Sequence, residues 1–498
     1  MKNILIKTLG IAFLATSLVS CDLDIYPTNK LVSEEAFETY DDATNFANGL
    51  NTYYRTMFYG VYSETEEVQG PWFNAQADFG NRKGDVHRMD ETLTSSSYDF
   101  EDVWEGTYYS IKQFNNFINN IDKIEGSADE TTELQEFKGR AFLYRASAYF
   151  ELLRRFAKDY DASTADSDLG VPLILKIDVN EKPARNTVAE CVAQITSDLD
   201  SAALGLANVP GAAASIYPTI DAVKALKAEV ALYSDDYTEA ASVSKELIDG
   251  GQYILNSDST SFSNEWTYDS GQECILQMTT TKSSESANTN SIYIIYDPAN
   301  DVYSPDFLPT QSLLNLYGSN DLRIKYWFTK YDNVKIGTSN IPLTIFTKYP
   351  GNPNFDDASN RSYKHKPKVF TIGKIYLINA EANIMKATPD SASARLSLNA
   401  LQSARQGNIT EPTMENIKAE WARETIGEGL YIECLKRWHE GFNGRLPQNI
   451  EAITSNPASS FQEINLAADY PKLIYWPIPS YEIKVNPNLV QNSGWGIE

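Results

Sequence analysis

TIDAVKALKAEVALYSDDYTEAASVSKELIDGG, residues 219–251, decides the fold because it encodes two amphipathic helices joined by a short turn. Apolar side chains recur three or four residues apart over Val223–Tyr233, which places them on one helix face. The pattern resumes over Tyr237–Leu247. Gly250-Gly251 follows, and glycine is the residue that a left-handed helix C-terminus favours. The stretch therefore predicts a helical hairpin.

Two such helices in a unit of about 34 residues resemble a tetratricopeptide repeat, which buries its apolar face only by stacking on other repeats. Three further pairs of segments have the same helical spacing. One segment begins with a capping box, Thr187-Val188-Ala189-Glu190. We therefore predict a mainly α fold with four helical pairs as its scaffold. The further pairs are 139–158 with 187–204, 375–385 with 394–401, and 33–58, with Ser33 as N-cap, together with 100–121.

Two segments of another character, 59–99 and 252–368, lie between these pairs. Both are rich in Ser, Thr, Asn, Asp, Gly, Pro and Tyr, with short β-leaning runs at Ser291–Tyr296 and Leu343–Tyr349. They are expected to form an irregular lobe that carries specificity. No Gly/Ser-rich or Pro-rich linker divides the chain, so we expect one domain over 33–498. Its scaffold is expected over about 33–58, 100–251 and 370–440.

The N-terminus has the layout of a secretory signal peptide over 1–20, with lysines before an apolar run too short to span a bilayer. Leu18-Val19-Ser20-Cys21 resembles a lipobox, in which Cys21 is acylated and becomes the new N-terminus. Residues 21–32 would then form a lipidated tether, stably attached by two or more acyl chains. The alternative is an ordinary secreted protein with a chance cysteine. No later apolar stretch reaches about 18 residues, so we expect membrane contact only through the lipid anchor.

The formal net charge of −25 opposes nucleic acids, anionic glycans and anionic headgroups over most of the surface. A neutral or mixed-charge partner is favoured, and no nucleic acid is expected. Apart from Cys21 the cysteines are Cys191, Cys274 and Cys434, without CxxC spacing. We interpret these three as small buried residues and expect neither a disulfide framework nor a zinc site.

Catalytic motifs are missing from the sequence. HExxH, GxSxG and phosphate-loop patterns do not occur, and the acidic run at 159–170 lacks the glycine and glutamate of a calcium loop. Glu424 and Glu428, flanked by Arg423 and Arg437, are interpreted as structural ion pairs. We therefore expect no metal, no cofactor and no enzymatic activity, with a surface glycoside hydrolase as the less favoured alternative.

Six motifs spread over the chain carry a family resemblance. They are Cys21-Asp22-Leu23-Asp24-Ile25; Gly139–Phe142 through Ala148–Phe156 with Gly170-Val171-Pro172-Leu173; Arg185–Val188 with Ile195 and Asp198-Leu199; Ala228–Tyr237; Arg423-Glu424, Glu428-Gly429 and Leu435–Trp438; and Trp476–Pro479 with Glu482-Ile483, Asn486–Leu489 and Gln491-Asn492. In this order they resemble the SusD/RagB family of outer-membrane nutrient-binding lipoproteins from Bacteroidetes.

The resemblance implies four tetratricopeptide pairs and a ligand-binding lobe, which sit as a lid on a SusC-like TonB-dependent transporter. It also implies an outer-membrane location facing the cell exterior, although the acidic run that often follows the cysteine is reduced here to Asp22 and Asp24. The implied function is capture of an oligosaccharide or polysaccharide and its delivery to that transporter. A peptide-binding member of the family and a pure interaction scaffold remain alternatives.

Aromatic and polar residues of the two irregular segments are the candidate ligand contacts. Sugars present flat CH faces to aromatic rings and hydroxyl pairs to Asn, Asp or Arg. For every ring the alternative is local packing beneath a loop. Trp104 and Trp438 fall in helical patterns and are expected in the core, whereas Trp327 could serve either role. The candidates are Trp72, Phe73, Asn74, Asp78, Asn81 and Arg82 in 59–99, and Trp266, Tyr268, Tyr293, Tyr296 and Tyr303 in 252–368.

Overall fold

The computed structural model has 49% helix and 10% strand, which confirms the mainly α fold. The predicted signal peptide over 1–20, the lipidation site Cys21, the tether over 21–32 and Ser33 lie outside the described residues. The structure describes residues 37–89, 92–178, 180–281, 292–357, 361–442, 444–453 and 475–497.

The helices and strands follow in chain order. The helices are α1 (Tyr40–Thr56), α2 (Val61–Gln69), α3 (Gly84–Arg88), α4 (Tyr98–Asn120), α5 (Ala128–Phe156), α6 (Val188–Gly205), α7 (Ile220–Tyr233), α8 (Tyr237–Asp249), α9 (Ser259–Thr267), α10 (Gln311–Leu314), α11 (Leu322–Tyr326), α12 (Ile372–Met385), α13 (Ser391–Ala404), α14 (Met414–Glu424), α15 (Tyr431–Arg437) and α16 (Ser480–Val485). The strands are β1 (Phe73–Ala75), β2 (Cys274–Gln277), β3 (Tyr296–Asp297), β4 (Val302–Tyr303), β5 (Phe307–Pro309), β6 (Phe328–Ile336), β7 (Ser339–Phe346) and β8 (Lys368–Thr371).

The predicted helical pairs are present as neighbouring helices. Helix α5 packs on α6, α7 on α8, and α12 on α13, while α1 lies against both α4 and α5. Contacts of α4 with α5, α6 with α7, and α8 with α12 join successive pairs into one scaffold. An amphipathic hairpin needs this stacking to bury its apolar face. The tetratricopeptide-like geometry of each pair stays a prediction.

Capping boxes set several helix starts. The box predicted at 187–190 is confirmed at the beginning of α6. A second box, over 39–42, begins α1, whose N-cap is Thr39. A third, over 127–130, begins α5 well before the expected residue 139. Each box satisfies backbone N–H groups that the first turn leaves without a partner.

The segment 59–99 is not the irregular loop that its composition predicts. It contains α2, β1 and α3, and eight of the nine residues of α2 are buried. The polar sequence of α2 is tolerated inside in part because Glu66 is paired: its Oε2 lies 2.8 Å from Arg154 Nη1 and 3.0 Å from Arg155 Nε on α5. Tertiary ion pairs thus override the local signal.

The strands form antiparallel pairs, which within the described residues are β1–β5, β2–β8, β3–β4 and β6–β7. Strand β8 runs directly into α12, so the β2–β8 pair ties the lobe to the scaffold. Strands β6 and β7 form a hairpin that turns at Gly337, whose φ of 59° suits glycine. Of the predicted β-leaning runs, 343–349 lies mostly in β7, whereas 291–296 contributes only Tyr296 to a strand.

A buried ion-pair network joins lobe and scaffold around Glu424. Arg405 donates from Nε to Glu424 Oε2 at 3.0 Å and from Nη1 to Glu273 Oε1 at 2.6 Å. Arg323, on the lobe helix α11, donates to the same Oε2 at 2.9 Å. Burial opposes ionisation, yet the two guanidinium groups lower the pKa of Glu424 to about 2. The structural ion pair is confirmed, but the expected partner Arg423 is wrong.

The remaining cysteines are free thiols inside the protein. Cys191, Cys274 and Cys434 are all buried, as expected. No helix in the described part of the chain is both long and apolar enough to cross a membrane.

Replacing Arg405 with leucine tests the network. Arg405→Leu leaves the Glu273 and Glu424 carboxylates without their shared buried cation, and we expect a loss of about 3–5 kcal/mol in the free energy of unfolding. Arg395→Leu on α13 is the matched control, because Arg395 pairs with Glu411 at the surface. We expect little change there. Denaturant unfolding followed by circular dichroism measures both, and equal effects would contradict the role assigned to the network.

Glu67 gives the fold a second titratable feature. Its Oε2 accepts a hydrogen bond from the Gly429 N–H at 2.9 Å, across the boundary between α2 and the segment before α15. Burial raises the pKa of this carboxyl to about 7 from an ordinary value of 4.5. The folded protein therefore holds a proton that the unfolded chain releases above pH 4.5.

The sign of this shift predicts a pH dependence. The stability due to protonated Glu67 is fully present below pH 4.5 and is lost as the pH rises through about 7. We expect Glu67→Gln to remove a slope of up to about 1.4 kcal/mol per pH unit between these values. The exposed Glu246→Gln is the control. Unfolding free energies measured from pH 4.5 to 7.5 test this, and identical slopes in Glu67→Gln and the parent would rule it out.

Candidate functional site

The candidate ligand contacts from segment 59–99 lie partly in the core and partly at the surface. Phe73 and Asn74 lie in β1 and are buried, because this strand pairs with β5 beneath the lobe. The Phe73 ring packs 4.7 Å from that of Tyr293, which is also fully buried. For these three residues the packing alternative holds, and they support the lobe from below. Trp72 is half-buried and packs edge-on against Tyr431 at 5.0 Å, on the scaffold side.

The polar members of the same group are exposed at the edge of the lobe. Arg82 Nε donates to Asp306 Oδ2 at 2.6 Å. Because Asp306 directly precedes β5, this bond joins the 76–82 turn to the start of that strand. Asn81 adopts a left-handed backbone conformation with φ of 62°. Asp78 lies beside the β6–β7 turn at Gly337. These side chains form a polar rim.

Three tyrosines of the second segment form an aromatic ladder. Tyr296 in β3 pairs in register with Tyr303 in β4, and their ring centroids lie 4.9 Å apart. Tyr331 in β6 adds a third ring, 4.3 Å from that of Tyr303. The Tyr296 hydroxyl donates to Asp301 Oδ1 at 2.8 Å, which fixes the exposed end of the ladder. We call Tyr296, Tyr303 and Tyr331 the tyrosine ladder.

The tyrosine ladder leads into an open cleft of the lobe, which encloses about 650 Å³ including the part open to solvent. This size suits a small molecule or a few sugar rings. Thr329 and Thr347 link their hydroxyls at 3.0 Å across its floor. Aromatic rings and hydroxyl groups dominate the walls, which is the composition that sugar recognition requires. The lining residues are Ser263, Trp266, Thr267, Ile294, Tyr303, Tyr326, Thr329, Tyr331, Thr347, Pro350 and Arg361.

Trp266 forms one wall of the cleft and is held from behind. Lys348 Nζ lies 4.5 Å from the centroid of the Trp266 ring and 4.1 Å from that of Trp327. Burial lowers the pKa of Lys348, and Glu428, whose Oε1 accepts from Nζ at 2.8 Å, opposes that shift. Trp327 is buried and therefore belongs to the core. Tyr268, half exposed after α9, does not line the cleft.

A second, internal cavity lies between the lobe and the scaffold helices. Its walls carry many charges, but the charges already have partners: Arg154 pairs with Glu66, and Lys374 Nζ lies 2.7 Å from Glu229 Oε1. Trp266 lines both this cavity and the cleft, so its indole separates them. In the described part of the chain, no three His, Cys, Asp or Glu side chains lie close enough to hold a metal ion.

Of the residues that line the cleft, sequence reasoning named only Trp266 and Tyr303. The two most informative residues that it missed are Tyr331 and Arg361. Both lie in the segment that was expected to bind ligand, but their positions depend on the pairing of β6 with β7 and on the path of the chain after β7. The only local signal for Tyr331 is its place in a β-prone run that continues to Ile336.

Family models match both ends of the chain. Residues 24–232 match a SusD-like family described as "Starch-binding associating with outer membrane", and residues 331–495 match the SusD_RagB model, described as "SusD family". No curated protein matches.

Solved structures match nearly the whole chain. A SusD superfamily protein from Bacteroides thetaiotaomicron is 26% identical, with a TM-score of 0.76 over 91% of this chain and 99% of that one. A putative sugar binding protein from Bacteroides vulgatus is 24% identical, with a TM-score of 0.73 over 93% and 100%. Surface glycan-binding protein A from Bacteroides fluxus has the same fold at 17% identity, with a TM-score of 0.70 over 91% and 99%. The motifs, the fold and these matches together place the chain in the SusD/RagB family.

Proposed function

We propose that the protein is a non-catalytic lipoprotein that captures an oligosaccharide in the cleft and passes it to a SusC-like TonB-dependent transporter. The observation that carries this proposal is the tyrosine ladder, which leads from solvent into a cleft walled by aromatic rings and hydroxyl groups. The family description and the sugar-binding relative from Bacteroides vulgatus support the ligand class.

The ladder suits a sugar chain for a physical reason. Tyr296 and Tyr303 lie side by side with tilted rings 4.9 Å apart, a spacing that lets the two rings cover the CH faces of one or two sugars. Thr329, Thr347 and Ser263 supply short hydroxyl groups for the sugar rims. Contacts of roughly 1 kcal/mol each would give micromolar to millimolar affinity, which permits release to a transporter.

The polar rim at Asp78, Asn81 and Arg82 is proposed to extend the site. A chain longer than the cleft would pass from the ladder toward these groups, whose amide, carboxylate and guanidinium atoms can bind hydroxyl pairs. Arg82 is held in this rim by its hydrogen bond to Asp306.

Removing the outer ring of the ladder tests the site. We expect Tyr296→Ala to weaken binding of the best ligand from a glycan array about fivefold, because one stacking platform of roughly 1 kcal/mol is lost. Tyr109→Ala on α4 is the matched control, because this tyrosine is also exposed and its ring packs 5.6 Å from the scaffold ring Tyr53. Isothermal titration calorimetry on the mature domain measures both.

Other outcomes separate the alternatives. Equal effects of Tyr296→Ala and Tyr109→Ala would remove the ladder from the site. Binding to peptides without binding to any glycan would favour a peptide-binding protein. Release of reducing ends from a polysaccharide by concentrated protein would favour a glycoside hydrolase. Transporter binding without any ligand would favour a pure scaffold.

The proposed location rests on the lipobox. We expect Cys21→Ser to abolish incorporation of labelled palmitate and to move the protein from the membrane fraction to the soluble fraction, because no acyl chain can then attach. Cys191→Ser, which changes a buried thiol, is the control and should stay in the membrane fraction. Membrane retention of unlabelled Cys21→Ser would contradict the anchor. Protease treatment of intact cells distinguishes an exterior from a periplasmic orientation.

A further inference from the structure

Among the described residues that line the cleft, Arg361 is the one that carries a formal charge. The other described lining residues have aromatic, aliphatic or hydroxyl-bearing side chains, so the guanidinium of Arg361 is surrounded by neutral groups. Two other cations of the lobe, by contrast, are paired with carboxylates. Arg82 pairs with Asp306 and Lys368 with Asp269.

The partners of Arg361 are neutral. Its Nη2 donates to the Pro350 carbonyl at 2.8 Å, and its guanidinium lies 5.0 Å from the centroid of the Tyr363 ring. Within the described residues, no carboxylate forms an ion pair with it. The carbonyl and the ring hold the guanidinium in place without neutralising it, which leaves its charge available to a ligand.

Two carboxylates of neighbouring segments accept hydrogen bonds from the chain itself. Asp301 accepts the hydroxyl of Tyr296 at 2.8 Å, and Asp356 accepts the Ser362 N–H at 2.7 Å. Neither belongs to the lining of the cleft. An anion beside Arg361 would therefore meet a cation and neutral hydroxyl groups, with no acidic side chain among the lining residues that the structure describes.

We infer that the cleft selects a glycan that carries an anionic substituent, either the carboxylate of a uronic acid or a sulfate ester, and that Arg361 is the residue that recognises it. A guanidinium matches both groups with two parallel hydrogen bonds. The inference rests on the proposed function and adds a substrate class to it. It also revises the expectation from net charge, which holds for the surface at large but not for the cleft.

The net charge still limits the ligand. A dense polyanion would be repelled by the rest of the surface, whereas a short or sparsely charged oligosaccharide places one anionic group at Arg361. The interaction should also weaken with added salt, because Arg361 is exposed.

The experiment compares charged sugars with their neutral counterparts. Calorimetry is run on the mature protein with short galacturonate, glucuronate and mannuronate oligosaccharides, each beside its methyl ester, and with sulfated galactose oligosaccharides beside their desulfated forms. We expect at least one charged member to bind tenfold or more tightly than its neutral form, because a charge-assisted hydrogen bond is lost on neutralisation. The uronate and sulfate arms tell the two sources apart.

Variants assign the preference to a residue. Arg361→Gln should remove the difference between charged and neutral forms, and Arg361→Lys should restore part of it, because lysine keeps the charge but not the planar fork. Arg395→Gln, which changes the net charge equally on the scaffold, should leave the preference unchanged. Thermal melting checks that each variant is folded.

Two results would overturn this inference, and both differ from the result that would overturn the proposed function. Neutral glycans that bind at least as tightly as charged ones refute the substrate class while leaving a glycan-binding protein. A charge preference that survives in Arg361→Gln refutes the role of Arg361. Binding of peptides with no response to any glycan would instead refute the proposed function itself.

Discussion

The Glu424 carboxylate, shared by two buried guanidinium groups, is the interaction on which the arrangement of lobe and scaffold depends. Arg405 reaches it from the end of α13, and Arg323 reaches it from α11 in the lobe. Buried charges are tolerated only where each is paired and hydrogen-bonded, so the network admits few relative positions of these elements. The helical scaffold can stack through apolar faces alone, but the lobe needs this directional contact to keep its cleft in one place.

The network reaches the cleft through Lys348. Its ammonium donates to the carbonyls of Glu424 and Ile426 at 3.3 and 2.9 Å, directly beside the shared carboxylate. The same ammonium lies against Trp266, which is a wall of the cleft. A buried lysine with its donors occupied has little freedom, and the indole that it supports is fixed in turn. The cleft is therefore preorganised from the scaffold outward, which lowers the entropy lost when a ligand binds.

Local patterns in the sequence predict the scaffold well and the lobe only in part. The α7–α8 hairpin and the capping box of α6 follow from short-range spacing, which needs no tertiary information. Glu424 shows where such reasoning ends, because its partners Arg405 and Arg323 lie 19 and 101 positions away, whereas the expected partner Arg423 was adjacent. The composition of 59–99 predicts a loop, because composition alone does not show that Glu66 of α2 pairs with arginines of α5 in the interior. The burial of Phe73 could not be predicted for the same kind of reason, because only the pairing of β1 with β5 shows which way its side chain faces.

The family models do not match every segment that forms the cleft, so the ligand of the cleft is inferred from the residues of this chain. The matched segments, 24–232 and 331–495, contain most of the scaffold and the β6–β7 hairpin. Trp266, Tyr296 and Tyr303 lie between those segments, while Tyr331 and Arg361 lie within the second. One wall of the cleft thus comes from the part of the chain that the family models do not match. Family membership accounts for the scaffold on which the cleft is built, whereas the proposed ligand is inferred from the charge of Arg361 and the spacing of three rings.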